Sequence, residues 1–121
     1  RYALAMNNLG NLLLEKGKPE EALDWFRRAR AANPDDPHAV NNAANALLAV
    51  GDAAGAEALY REAAEAHPES ADIANNLGWC LAGQGRAEEA CAWFAQALAL
   101  DPHHARAAEN RRALCGETPG G

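Results

Sequence analysis

The chain has 121 residues, enough for one domain of ordinary size, and 49% of them are hydrophobic. Thirty-one are Ala and 14 are Leu, whereas Val, Ile and Thr together number four; this favours helices and leaves too few β-branched residues for a sheet. The net charge of −6 argues against a nucleic-acid partner held by phosphate neutralisation, and no apolar run approaches the roughly 20 residues of a membrane span.

The first helix is predicted over residues 3–16, where Met6, Leu9, Gly10 and Leu13 recur at i, i+3, i+4 and i+7. Gly17 breaks it, and Pro19 suits the first turn of a second helix over 19–32, with its stripe at Ala22, Phe26 and Ala29. Asn33-Pro34-Asp35-Asp36-Pro37 is strong turn chemistry. The same logic predicts helices over 37–50, 53–66, 71–84, 87–100 and 105–115. Residues 116–121, Gly-Glu-Thr-Pro-Gly-Gly, are expected to form a disordered tail.

These elements repeat with one period. Pro34, Pro68 and Pro102 are 34 apart, as are Gly17, Gly51 and Gly85, and Ala22, Ala56 and Ala90. Leu13, Leu47 and Leu81 keep the interval, and so do Phe26, Tyr60 and Phe94. Gly10, Ala44 and Gly78 are small and face the Ala22, Ala56 and Ala90 column, so the two helices of each unit can approach closely; the aromatic column fills the space between units. A two-helix hairpin cannot bury its apolar side alone, so stacking in register is what stabilises such an array.

This pattern resembles tetratricopeptide repeats, whose signature is W-x2-L-G-x2-Y, then A-x3-F, then P over 34 residues. The matches are Leu9-Gly10-x2-Leu13, Ala22-x3-Phe26 and Pro34, then Ala44-x2-Leu47, Ala56-x3-Tyr60 and Pro68, then Leu77-Gly78-x2-Leu81, Ala90-x3-Phe94 and Pro102. Met6, Val40 and Ala74 depart from it at the Trp column, and Ala43 at the first Leu column. The resemblance implies an all-α fold: a right-handed α-solenoid of three helix-turn-helix hairpins plus one terminal helix. It implies a single domain over 1–115, with repeats 3–36, 37–70 and 71–104 and a capping helix over 105–115. It also implies that the first helix of each repeat, here called the A helix, lines a concave surface.

Asparagine marks that surface. Nine of the ten Asn residues lie on A-type helices, and Asn is a poor helix former because its side chain competes for backbone hydrogen bonds. At roughly 0.6 kcal/mol each relative to Ala, nine cost on the order of 5 kcal/mol. A merely soluble face would carry Glu, Lys or Arg instead. At 100° per residue Asn7, Asn8 and Asn11 share a face opposite the packing stripe; the equivalent face holds His38, Asn41, Asn42 and Asn45, then Asp72, Asn75, Asn76 and Trp79, then Asn110. Asn7, Asn41 and Asn75 lie nearer the boundary between helices and suit capping or bridging there. Asn8, Asn42, Asn76 and Asn110 form a column spaced by 34.

A column of primary amides suits an extended polypeptide, because one Asn can bond both the N–H and the C=O of a peptide residue. Helices about 10 Å apart and a strand rise of about 3.3 Å would place one Asn at every third residue. The column is similar to those of O-linked N-acetylglucosamine transferase repeats and of armadillo-type importins. Four such contacts at about 0.5–1.5 kcal/mol each give about 2–6 kcal/mol, so side-chain contacts must add to them. The expected peptide-binding residues are Asn8, Asn11, Asn42, Asn45, Asn76 and Asn110, with Trp79 and His38 supplying side-chain contacts. The Lys/Arg clamp for a terminal carboxylate, used by chaperone-binding members of the family, is not expected, because its columns hold Asn7, Asn11, Asn42, Asp72 and Asn76.

Other signals point to packing. Trp25 and Trp93 sit in equivalent columns on the second helices. Cys80, Cys91 and Cys115 make an odd count without a CxxC pair, which reads as buried free thiols in a reducing compartment and points to the cytoplasm. His103-His104 lacks further metal ligands, so no metal and no cofactor are expected. With no paired nucleophile and base, catalysis is not expected either. The middle repeats carry net −4 and −3, favouring a basic or neutral partner. The expected function is therefore a protein-interaction module holding an extended peptide or partner segment. The alternatives are self-association through the apolar first helix (Tyr2, Met6 and Leu9) and service as the targeting arm of a larger enzyme.

Overall fold

The computed structural model describes residues 2–116 and, among these, seven α-helices and no strand. They are α1 (Tyr2–Glu15), α2 (Pro19–Ala32), α3 (Pro37–Ala49), α4 (Ala53–Ala66), α5 (Ala71–Gly83), α6 (Ala87–Leu100) and α7 (Ala105–Cys115). Every boundary lies within one residue of its expected position. Of the tail expected over 116–121, only Gly116 falls within the described residues. No helix among them is long and apolar enough to cross a membrane.

One backbone device closes all three A helices. Gly17, Gly51 and Gly85 have φ of 76°, 90° and 78°, a left-handed conformation that side chains disfavour. The next N–H then reaches back five residues: Lys18 to the Leu13 carbonyl at 2.9 Å, Asp52 to Leu47 at 2.8 Å and Arg86 to Leu81 at 3.0 Å. The glycine N–H groups bond three residues back, to Leu14, Leu48 and Ala82, which completes a Schellman ending. Helix starts repeat as well. Asp36 accepts from the His38 N–H at 3.0 Å, Ser70 from Ile73 at 3.3 Å, and His104 Nδ1 from Ala107 at 3.1 Å, each satisfying a donor that the first helical turn leaves open.

The chain divides into two compact units, Arg1–Ala66 and His67–Gly121. In unit 1 the helices pack in chain order, and α1 also touches α3. Its core is an alanine lattice around two rings: Ala22, Ala29, Ala44 and Ala56 are fully buried, as is Phe26, and Tyr60 is nearly so. A Cβ added to Gly10 would lie 2.7 Å from Cδ1 of Phe26, so the ring rests directly on the α1 backbone within its own hairpin. The α3–α4 hairpin has Ala44 at that place and Tyr60 for the ring, and the Tyr60 hydroxyl donates to Asn45 Oδ1.

In unit 2, α5 packs on α6, α6 on α7, and α5 also touches α7. Gly78 repeats the close approach: a Cβ there would lie 2.7 Å from Cε1 of Phe94 and 3.1 Å from the Ala90 carbonyl oxygen. Ala74, Ala97 and Ala107 form a buried cluster at the α5–α6–α7 junction, with Trp93 packed against it. Burying Phe26 or Phe94 contributes about 1.5–3 kcal/mol each.

The expectation of three free thiols is overturned. Cys91 on α6 and Cys115 at the end of α7 form a disulfide, with Cα atoms 6.0 Å apart; Cys80 is buried and lies outside any disulfide. The pairing joins residues 24 apart, off the 34-residue period, and depends on α7 folding back along α6. The cysteine argument for a reducing compartment, and with it the support for a cytoplasmic location, therefore falls.

Candidate functional site

On unit 1 the outward faces of α1 and α3 carry the expected residues. Asn8, Asn11, His38 and Asn45 are exposed, and Asn42 is half-buried. On each helix the pair Asn8 and Asn11, or Asn42 and Asn45, is one turn apart and shares a side. Asn45 accepts from Tyr60 through Oδ1, so its NH2 group is the end turned away from that bond. His38 lies in the first turn of α3, with its backbone N–H bonded to the Asp36 cap.

On unit 2, Asn76 and Asn110 are half-buried and Trp79 is 59% exposed, uncommonly open for so large an apolar side chain. Trp79 and Asn110 come together at one cavity of about 180 Å³, whose other walls are Ala82, Phe94, Ala113 and Leu114. The small side chains of Ala82 and Ala113 leave the space, and among the described residues of the lining the polar groups are the Asn110 amide and the Trp79 indole N–H. A cavity so lined accepts an aliphatic side chain and disfavours a charged one, because the described residues of its lining carry no charge to offset the loss of hydration. Ala82 and Leu114 carried no signal in the sequence, since neither belongs to a polar or aromatic pattern.

Two further asparagines lie inward. Asn7 is 6% exposed and Asn75 2%. Asn75 Oδ1 accepts from Asn110 Nδ2 at 3.0 Å, bridging α5 and α7. Asn7 Oδ1 is buried without a hydrogen-bond partner, which costs about 1–3 kcal/mol. Helical geometry puts Asn7, Asn41 and Asn75 near the boundary between helices; Asn7 and Asn75 are buried there and Asn41 is half-buried.

The charged groups nearby are already engaged. Asp72 Oδ1 lies 2.6 Å from His104 Nε2 and 3.7 Å from an Arg106 nitrogen. His104 Nδ1 accepts the Ala107 N–H, so its Nε2 carries the proton and donates to Asp72. The Arg106–Asp72 pair is largely exposed and is worth under about 1 kcal/mol.

Comparison with known proteins places this architecture. Residues 41–105 match a family model described as tetratricopeptide repeat, and residues 3–36 match a second model of that description. No curated protein matches the chain. Among solved structures, the first tetratricopeptide domain of Spaghetti (RPAP3) bound to the HSP90 peptide SRMEEVD is 25% identical with a TM-score of 0.85, covering 93% of this chain and 90% of that one. The NMR structure of the first such domain of human RPAP3 is 25% identical with a TM-score of 0.87, covering 93% and 89%. YrrB, described as a tetratricopeptide protein with an unusual peptide-binding site, is 24% identical with a TM-score of 0.83, covering 91% of this chain and 57% of its own; at that identity the likeness concerns fold alone. The 34-residue columns, the repeated Schellman endings, the ring-on-glycine packing and a family model spanning over half its length agree: the chain belongs to the tetratricopeptide repeat family.

Proposed function

We propose that the chain is a protein-interaction module that holds an extended peptide against the outward faces of its A helices. Unit 1 offers Asn8, Asn11, His38, Asn42 and Asn45; unit 2 offers Asn76, Trp79 and Asn110. Within each unit taken by itself the carboxamides meet peptide main chain, and on unit 2 an aliphatic side chain of the peptide enters the cavity beside Trp79. The observation that carries this reading is the meeting of Trp79 and Asn110 at one apolar cavity, an amide and an open aromatic ring side by side. The structure of the Spaghetti domain with an HSP90 peptide supports it as a precedent for peptide capture on this fold. The acidic character of that peptide does not carry over, because Asp72 and neutral asparagines stand where a carboxylate clamp needs cations. In this reading the module does no chemistry of its own.

The test is a titration of the isotopically labelled chain with a pool of capped heptapeptides randomised in uncharged side chains. Shifts should concentrate on the A-helix asparagines and on the Trp79 indole. Replacing Asn8 and Asn42 by Ala should remove the shifts on unit 1 while the melting temperature holds or rises; Asn110→Ala, which strands the buried Asn75 oxygen, is read for binding alone. A collapse in stability would instead make the amides structural.

A second reading, self-association, rests on α1. Tyr2 is 82% exposed, Leu4 66%, Leu12 47% and Leu9 37%, while Met6 is half-buried. Light scattering across concentration decides it, since a strict monomer at every concentration removes it.

A further inference from the structure

Asn7 and Asn75 are polar residues that the helices bury. Each opens an Asn-Asn pair, so its neighbour, Asn8 or Asn76, points about 100° away around the helix. Asn7 and Asn75 are two repeats apart and occupy equivalent places on α1 and α5. What the place does is visible in unit 2, where Asn110 Nδ2 donates to Asn75 Oδ1 at 3.0 Å. Two repeats earlier the same pairing is Asn42 with Asn7, and α1 touches α3 as α5 touches α7. There Asn7 Oδ1 is buried and accepts nothing, while Asn42 stays half-buried at the surface.

A surface carboxamide has two unlike ends, and free rotation about its last torsion offers either to a ligand. A buried oxygen that accepts one of its N–H groups removes that ambiguity. The amide oxygen is then turned outward with the second N–H beside it, which is the acceptor–donor pair that a peptide main chain requires. We propose that Asn75 and Asn7 are positioning residues that set the outer carboxamides of Asn110 and Asn42 for a bound main chain, already in place in unit 2 and completed on binding in unit 1. This rests on the peptide reading above and assigns the inward asparagines a part in it. It also explains why a buried acceptor without a partner persists in unit 1: the partner is the amide that the ligand draws into line.

The experiment uses the full chain and the tightest-binding capped heptapeptide from the uncharged pool. In the free protein one N–H proton of the Asn110 side chain should be shifted downfield and slow to exchange, and those of Asn42 should not; peptide should confer that signature on Asn42. Asn75→Leu, which fills the site without an acceptor, should erase the Asn110 signature and weaken binding about five- to tenfold, the effect of one lost hydrogen bond. In an Asn110→Ala background the same change should cost nothing further. Asn75→Asp, which restores an acceptor oxygen, should recover binding; Asn75→Ala carries the same test should Asn75→Leu fail to fold. Unchanged binding in Asn75→Leu, or an equal loss with and without Asn110, overturns the positioning role while leaving peptide binding intact. An Asn42 amide that does not respond to bound peptide overturns the assignment for unit 1. If no heptapeptide binds the unaltered chain, the peptide reading fails and this inference falls with it.

Discussion

Helices α3 and α7 hold equivalent places in the 34-residue pattern, one in each unit, yet they are held by different forces. In unit 1, α3 buries Ala39, Val40, Ala43, Ala44, Ala46 and Leu47, an apolar face wide enough to anchor it by burial. In unit 2, α7 buries Ala107 alone and carries Glu109, Arg111 and Arg112 among its remaining residues. Specific ties hold it instead, among them the Cys91–Cys115 disulfide, the His104 side chain that caps α7 and pairs with Asp72, the Asn110–Asn75 bond and the exposed Arg106–Asp72 pair. Burial is non-directional and grows with area, so α3 needs no particular contact. Covalent and hydrogen-bonded ties are few and specific, so each one on α7 matters by itself. Since Asn110, Ala113 and Leu114 form one wall of the cavity beside Trp79, the least buried helix is also the one on which that cavity depends.

Breaking the disulfide is the strongest way to test this contrast. A cross-link between residues 24 apart contributes about 3 kcal/mol. Cys91→Ser with Cys115→Ser should therefore speed amide hydrogen exchange along α7 by two orders of magnitude and flatten peptide-induced shifts at Trp79, with α1–α3 exchange unaltered. Equal exchange along α7 in both forms would show that Ala107 and the polar ties suffice. The next effect in size concerns the rings. Gly10→Ala and Gly78→Ala each place a Cβ against a phenylalanine, which costs about 1–3 kcal/mol by overpacking, whereas Ala44→Gly costs only about 1 kcal/mol of helix propensity. Chemical denaturation of the three variants compares them directly. Equal losses would mean that the close approach of Phe26 and Phe94 is not what selects glycine.

The repeat explains which of these features can be read from sequence. Columns such as Gly17, Gly51 and Gly85 are legible because one backbone conformation, repeated three times, demands one residue type. The helix boundaries follow from those columns and from the turn at Asn33-Pro34. The disulfide is not legible, since pairing depends on a Cα approach of 6.0 Å that no spacing encodes. The cavity is hidden for a different reason: its volume comes from what Ala82 and Ala113 lack, and alanine is everywhere in this chain. The asparagines fall between. Their concentration on A helices is plain, but adjacent Asn residues differ by only about 100° on the helix, and whether the inner one meets another amide depends on how closely successive A helices pack.

That distance makes the inward asparagines the finest comparison of the two units. Asn75 has a partner and Asn7 has none, although both are buried. Replacing both members of a buried hydrogen bond by apolar groups is often neutral, but removing one strands the other. Asn75→Leu strands the Asn110 N–H, which is half-buried and recovers part of its bonding from water, so a loss of about 0.5–1.5 kcal/mol is expected. Asn7→Leu strands nothing through its oxygen, removes an acceptor with no partner and adds apolar volume of similar size. It should leave stability unchanged or raise it by up to about 1 kcal/mol. The two substitutions are chemically identical and two repeats apart, so urea midpoints measured side by side cancel most intrinsic differences. A loss at Asn7 as large as that at Asn75 would show that the free chain already closes the Asn7–Asn42 pair in solution, and the two units would then be alike at the place where they most visibly differ.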